Sequence, residues 1–240
     1  MSNRINIAMW SGPRNLSTAL MRSFGNRKDI LEVLDEPFYA SYLNETKKKH
    51  PMFKEIINSQ ELNWKKVIEN CLREEGHGIC YQKHMVQHML PNFDREWMLN
   101  TINCFLIRKP EEVISSFLKK WPDAQFEDFG FNNQIDLFNF IKNKAGEAPI
   151  VIDAFDLANN PEKKLKKLCR KLKIDWDTNM LQWKSGLKPY DGVWATHWYA
   201  SVKSSTSFKK TTNKKNYPKT VLNFANQARK AYSELVKYKI

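Results

Sequence analysis

Short runs dominated by Ile, Val, Leu and aromatic residues recur at Ile5–Trp10, Ile30–Leu34, Ile79–Gln82, Ile102–Ile107 and Ile150–Ile152. Between them the apolar positions fall every three or four residues, the period of one helix face. Buried strands alternating with helices predict an α/β fold in three layers, a parallel sheet with helices on both faces, because each parallel connection must carry the chain back across the sheet. The helix after the first run carries Leu16, Leu20 and Phe24 on one stripe and stops at Gly25-Asn26. Pro110 opens another, with Glu111 and Glu112 in its first turn, Val113, Ile114, Phe117 and Leu118 on its buried side, and Lys119 and Lys120 at its end. That order of charges suits the helix dipole. Asn160-Pro161-Glu162 starts a third in the same way, with Leu165, Leu168, Cys169 and Leu172 as its stripe.

Lys47–Glu75 reads as one or two basic amphipathic helices inserted between the second and third strands, and Trp121–Asn143 as an aromatic, partly acidic excursion after the fourth. Thr220–Lys237 reads as a closing amphipathic helix. No internal repeat or linker divides the 240 residues. The expectation is one domain over 1–240, with a helical insertion at about 44–76 and a C-terminal covering loop plus helix at about 184–240.

Composition narrows the class. At 42% hydrophobic and 27% charged residues the chain excludes disorder and low complexity. No apolar run reaches the roughly 18 residues of a membrane span, and no leader precedes Ile5, so no membrane role and a cytoplasmic location are expected. The four cysteines, Cys71, Cys80, Cys104 and Cys169, form no close pair and sit in apolar surroundings as reduced structural residues. A net charge of +13 points to an anionic partner, and Lys203–Lys219 concentrates six lysines without an acid, as an anion-facing loop would.

The stretch INIAMWSGPRNLSTALMRSF places a tight loop, Gly12-Pro13-Arg14-Asn15, between a strand and a helix opened by Ser17 and Thr18. Loop amides and a positive helix N-terminus make a phosphate cradle. The nucleotide loop GxxxxGK[ST] is not matched, since Leu16-Ser17 stands where Gly-Lys would fall and the cation is Arg14. In FLIRKPEEVISSF a buried strand ends in Arg108, and the helix after Pro110 carries Ser116, so an arginine and a hydroxyl are both placed to bind one phosphate.

With these motifs the chain resembles the sulfotransferase superfamily, whose members move a sulfuryl group from 3′-phosphoadenosine 5′-phosphosulfate (PAPS) to an alcohol, amine or sugar, leaving 3′-phosphoadenosine 5′-phosphate (PAP). The resemblance implies a P-loop-like fold and cofactor-binding roles for the phosphosulfate loop, Gly12, Pro13, Arg14, Asn15, Leu16, Ser17 and Thr18. Leu16 departs from the family's usual glycine. Arg108 and Ser116 match the pair that binds the 3′-phosphate, and Asp153–Leu157 followed by Asn160-Pro161-Glu162 matches a structural step. SGLKPYDGVWATHWY and the later SSTSF resemble a bacterial and plant branch, some of whose members carry aminotransferase names; by that likeness Ser205 and Thr206 also face the cofactor. No metal is implied, and His84 with His88 lacks a third ligand.

Sulfuryl transfer needs charge stabilised on the leaving phosphate and a proton removed from a small-molecule acceptor. Arg14 is placed for the first. For the second the resemblance offers Glu36 in LDEPF or His84 in YQKHM, each following a strand, while Lys83 is placed instead to hold the sulfuryl oxygens. Phe38, Tyr39, Tyr42, Trp121, Phe126, Phe129 and Phe131 are candidates for an acceptor pocket, and His197 for ligand contact. A P-loop kinase reading would use Ile150–Asp153 as its acidic strand but gives Arg108 and Ser116 no role. A nucleic-acid reading would rest on the lysine-rich loop, without a recognised module.

Overall fold

The computed structural model describes residues 3–212 and 216–240. The five predicted runs become β1 (Asn3–Ser11), β2 (Ile30–Asp35), β3 (His77–Met85), β4 (Ile102–Ile107) and β5 (Ile150–Asp153), hydrogen-bonded in the order β2-β3-β1-β4-β5. Every pairing is parallel. Because β1 sits between β3 and β4, the chain winds one way from β1 through β2 to β3 and the other way from β4 to β5. A crevice therefore opens beyond the C-terminal end of β1, where sheets of this kind hold ligands.

The connections are α1 (Ser17–Gly25), then α2 (Tyr39–Thr46), α3 (Phe53–Ser59) and α4 (Trp64–Cys71) before β3, α5 (Pro110–Leu118) and α6 (Phe131–Ala145) before β5, and α7 (Ala154–Asn159) and α8 (Pro161–Leu172) after it. Two helical turns, α9 (Ala195–Trp198) and α10 (Ala200–Lys203), and the long α11 (Lys219–Val236) follow. The capping signals act as the sequence implies. Pro110 and Pro161 stand in the first turns of α5 and α8, and α1 ends at Gly25 with Asn26 as its cap. The α6 helix lies within the aromatic excursion, where Gly130 at φ 73° turns the chain into a helix whose Leu137, Phe138 and Ile141 are buried. No stripe of aliphatic residues announced it.

Side chains alternate across a strand, and here the alternation splits the core. Ile7 and Met9 of β1, Ile79 and Tyr81 of β3 and Cys104 and Leu106 of β4 pack toward Leu20 and Phe24 of α1 and Leu165, Leu168 and Leu172 of α8. Ala8 and Trp10, with Phe105 and Ile107, pack the other way onto Val67 of α4, Leu137 and Phe138 of α6 and Leu235 of α11. A third cluster joins Val113, Ile114 and Phe117 of α5 to Val221, Ala225 and Ala228 of α11.

The C-terminal segment is fastened across the α1 side. Arg22 of α1 makes two hydrogen bonds to Asp191, at 2.5 and 2.6 Å, with both side chains buried. Gln182 bridges Ser207 in antiparallel fashion, and the Trp183 N–H donates to the Thr206 carbonyl at 2.9 Å. Of the lysine-rich loop, Lys214 and Lys215 lie outside the described residues. Among the described residues no helix is long and apolar enough to cross a membrane.

Candidate active site

A pocket opens at the C-terminal end of the sheet, and the β1–α1 loop forms its floor, with Pro13, Arg14, Asn15, Leu16, Ser17 and Thr18 in its lining. Gly12 stands just behind. A Cβ there would lie 2.7 Å from the Phe129 carbonyl oxygen, so only glycine lets the loop pass. Asn15 closes the loop by donating from Nδ2 to the Gly12 carbonyl at 3.1 Å. Arg14 and Leu16 adopt left-handed φ values of 61° and 70°. That backbone is the one the family's usual glycine would favour, and Leu16 takes it at a steric cost. Leu16 gives α1 no side-chain cap, so the first N–H groups of the helix are left for a ligand.

The β4–α5 junction supplies the opposite wall. Arg108 donates from Nη1 to the Arg14 carbonyl at 2.9 Å and from Nε to Glu112 at 2.8 Å. Arg14 donates from Nε to Ser116 Oγ at 3.1 Å. The arginine and serine eight residues apart thus both contact Arg14. Burial and then the nearby Arg108 charge hold the Arg14 pKa below its usual value. Arg108 is paired with Glu112, whereas among the described residues no carboxylate forms an ion pair with Arg14.

The β2 end carries a buried knot of charge. Lys83 Nζ donates to Asp35 Oδ1 at 3.0 Å, to Glu36 Oε1 and to the Tyr199 hydroxyl at 2.9 Å. Tyr199 in turn donates to Asp35 at 2.8 Å and accepts from Trp194 Nε1 at 3.1 Å, while the Gly192 N–H reaches Asp35 Oδ2 at 3.1 Å. Burial works against the Lys83 charge, but Asp35 and Glu36 outweigh it and its pKa is raised. Burial pushes the Glu36 carboxyl up, with the Lys83 ammonium pulling against it. Glu36 has φ 48°, fixed by its N–H on the Lys83 carbonyl and by its own carbonyl, which accepts from the Tyr39 N–H and Gln60 Nε2.

Glu36, Lys83, Tyr39, Tyr42 and Trp121 all line the pocket. His84 does not. Strand alternation turns it to the opposite face from Lys83, where its ring stacks on Trp10 at 4.3 Å and its Nε2 meets Gln82 Oε1 at 3.1 Å. Burial and then Lys83 lower its pKa to about 3. The expectation that His84 could take the acceptor's proton is therefore corrected: the ring is buried against Trp10 and is absent from the pocket lining. Ser205 and Thr206 are corrected too. Ser205 Oγ accepts from Trp183 Nε1 and donates to the Val202 carbonyl, the exposed Thr206 lies outside the lining, and the pocket is reached instead by Ser201 and Val202 of the same segment.

Of the aromatic candidates, Phe38, Phe129 and Phe131 are core residues, and Phe126 packs against the α5–α11 cluster. His197 is exposed, edge-on to Trp198. Asp153 caps α7, accepting from the N–H groups of Phe155 and Asp156 and from Tyr232, and lies outside the pocket. The structure adds His50 to the pocket, and gives a place in its lining to His88, weighed from sequence only as a metal ligand, and to Trp198 and Tyr199, which close the SGLKPYDGVWATHWY stretch. Among the described residues no group of three His, Cys, Asp or Glu side chains is placed to hold a metal.

An all-parallel five-stranded sheet with helices on both faces, a tight loop between β1 and α1 and an arginine just after β4 beside it, defines a P-loop-like α/β protein. The profile of the sulfotransferase domain family matches residues 5–222, and the chain belongs to that family. It is 39% and 36% identical to branched-chain-amino-acid aminotransferase-like proteins 1 and 2 of Arabidopsis thaliana, in each case over 89% of this chain. It spans only 38% and 37% of those relatives' lengths. Among solved structures it is similar to the sulfotransferase domain from the curacin biosynthetic pathway, with TM-score 0.55 and 16% identity over 95% of this chain and 99% of that one. The sulfotransferase from Alicyclobacillus acidocaldarius gives 0.56 and 10% over 99% and 97%. At such identities the likeness is one of fold.

Proposed function

We propose that the chain is a PAPS-dependent sulfotransferase that transfers a sulfuryl group in line to a hydroxyl or amine of a small acceptor. One observation carries the reading: Arg14 and Arg108 converge with Ser116 beside the open N-terminus of α1, and among the described residues no carboxylate pairs with Arg14. A ligand with several separated negative charges fits that wall. PAPS would supply the activated sulfuryl group. In this reading Arg14 and the first N–H groups of α1, with Ser17 and Thr18, neutralise the phosphate from which sulfur departs, and Arg108 with Ser116 holds the 3′-phosphate. Lys83 faces the transferred oxygens, and Glu36, on the acceptor side, drives the acceptor's proton away.

Calorimetry with PAP, ADP and ATP with Mg²⁺ tests this. PAP should bind well beyond ADP, and Arg108→Ala should erase most of that difference, since a charge-assisted hydrogen bond contributes about 1.5–3 kcal/mol, or roughly ten- to a hundredfold. Equal binding of PAP and ADP, or binding of ATP with Mg²⁺ and not PAP, would refute the assignment.

A further inference from the structure

His88 stands in the pocket wall with no partner for one of its nitrogens. The side chain is 3% exposed, and its ring stacks on Tyr39 at 4.4 Å and on Tyr42 at 4.8 Å, so its plane is fixed. Its Nδ1 is buried without a hydrogen bond, which is rare for a buried polar atom. Facing that nitrogen, 3.9 Å away, is Glu36 Oε2. The other carboxylate oxygen, Oε1, is taken by Lys83. A free imidazole nitrogen thus looks at the free oxygen of the pocket carboxylate, at a separation that a shift of about 1 Å turns into a hydrogen bond; such bonds are often long before substrate arrives.

We propose that Glu36 works through His88: Glu36 Oε2 holds the Nδ1–H, and Nε2 keeps its lone pair for the acceptor's proton. The proposal rests on the sulfotransferase reading above. In the step, the acceptor oxygen forms its bond to sulfur while the bond from sulfur to the donor's 5′-phosphate oxygen breaks, its electron pair leaving with the phosphate. The acceptor's proton goes to Nε2, and the resulting imidazolium is held by Glu36. Glu36 Oε1 is taken by Lys83, so only Oε2 is left, and that is the oxygen His88 Nδ1 faces. Burial, and then the charges of His50, Lys83, His84 and Lys48, hold His88 well below the usual imidazole pKa, so it enters the reaction neutral.

The same geometry sets the acceptor class. The pocket's carboxylates are already paired, Glu36 with Lys83 and Asp128 with Lys48 at 2.9 Å. Among the described residues none is left to seat an ammonium. An acceptor carrying an ammonium therefore finds no unpaired carboxylate here, which favours a hydroxyl acceptor over an amine, with Trp121 and Trp198 in the lining as its apolar surface.

Nitrogen NMR of the ¹⁵N-histidine-labelled protein with PAP bound reads the tautomer directly. The proton is expected on Nδ1 of His88, opposite to the preference of free histidine; a proton on Nε2 would overturn the proposal. His88→Phe keeps the stack and removes the nitrogens, with His88→Asn as the alternative should the first fail to fold. Sulfation of benzyl alcohol should fall by about a hundredfold or more, the usual worth of a general base, and that of 4-nitrophenol, which ionises unaided, by less than about tenfold. Equal losses for both would show a structural role and overturn the assignment. PAP affinity should stay within about twofold, because His88 makes no hydrogen bond or ion pair with Arg14, Arg108 or Ser116. A protein that binds no PAP would refute the donor reading and the proposal with it, whereas normal PAP binding with the proton on Nε2 refutes the proposal alone.

Discussion

Replacing Lys83 by methionine tests the buried knot at the β2 end. The side chain is 2% exposed and the carboxylates it neutralises, Asp35 and Glu36, are 1% and 9% exposed. Methionine fills the aliphatic stem and leaves two buried carboxyls with only Tyr199 and the Gly192 N–H as donors. Breaking one partner from a buried pair costs about 3–5 kcal/mol. For a chain of this size that is a fall in Tm of roughly 6–20 °C, at about 2–4 °C per kcal/mol. The loss should depend on pH with a defined sign. Burial already raises the Glu36 carboxyl against the pull of Lys83, and without the ammonium it rises further, so the folded protein binds more protons at Glu36 than the unfolded chain does at pH above about 4. Stability then falls as pH climbs, by up to about 1.4 kcal/mol per pH unit for each proton involved, until the folded pKa is passed. Urea denaturation at pH 5 and pH 8 measures it, and the double variant Lys83→Met/Glu36→Gln should recover at least about 1 kcal/mol through the coupling expected of contacting groups. A loss below about 1 kcal/mol, or an equal loss at both pH values, would refute the reasoning.

Two further outcomes follow from buried charge. His84 and His50 have folded pKa values of about 3 and about 4, set first by burial and then by Lys83 and Lys48 respectively. Values depressed below the unfolded 6.5 mean stability is present above pH 6.5 and is lost as pH falls toward them, at about 1.4 kcal/mol per pH unit for each group. His84→Phe should therefore flatten the stability profile between pH 4 and 6 by about that slope, and an unchanged slope would count against the burial of His84. Asp191→Ala strands the buried Arg22 guanidinium, so the urea midpoint should drop by the equivalent of about 3–5 kcal/mol; a change under about 1 kcal/mol would mean the C-terminal segment is not fastened to α1 in this way.

The strands and most helices were legible because their signals are local: apolar runs, a proline at the first turn, Gly25-Asn26 at a C-terminus. The α6 helix was not, because Phe131, Leu137, Phe138 and Ile141 are spaced for a helix inside a segment whose aromatics and acids read as loop. In the site, Arg108 and Ser116 could be paired from sequence because Arg108 directly follows β4 and Ser116 lies two turns into α5, the helix that Pro110 opens, while Arg14 stands in the loop between β1 and α1. Lys83 and His84 show where that reading fails. They are neighbours in sequence, yet the pleat sends one into the charge knot and the other into the apolar layer with Trp10, and parity with Ile79 and Tyr81 was the signal that separates them. Asp35 and Tyr199 meet only through the fold, across 164 residues, and no local pattern could join them.

Of the six non-glycine residues with left-handed φ among the described residues, three, Arg14, Leu16 and Glu36, line the same pocket. Each costs about 1–2 kcal/mol, a strain that persists where the surroundings over-determine the backbone. At Arg14 that surrounding is the Arg108 hydrogen bond on its carbonyl, and at Glu36 the bonds to Lys83, Tyr39 and Gln60. Leu16 is held by packing, for its side chain rests on the α1-side core. Two truncations separate the backbone cost from the packing. Leu16→Ala loses the packing and keeps the Cβ in the strained conformation, whereas Leu16→Gly loses the packing and relieves the strain. Glycine should therefore be the more stable of the two by about 1 kcal/mol, the reverse of the order in a helix interior, where alanine leads by about that amount. Matching urea midpoints, or a more stable alanine variant, would mean that the loop relaxes around residue 16 and that the φ of 70° is not imposed by the fold.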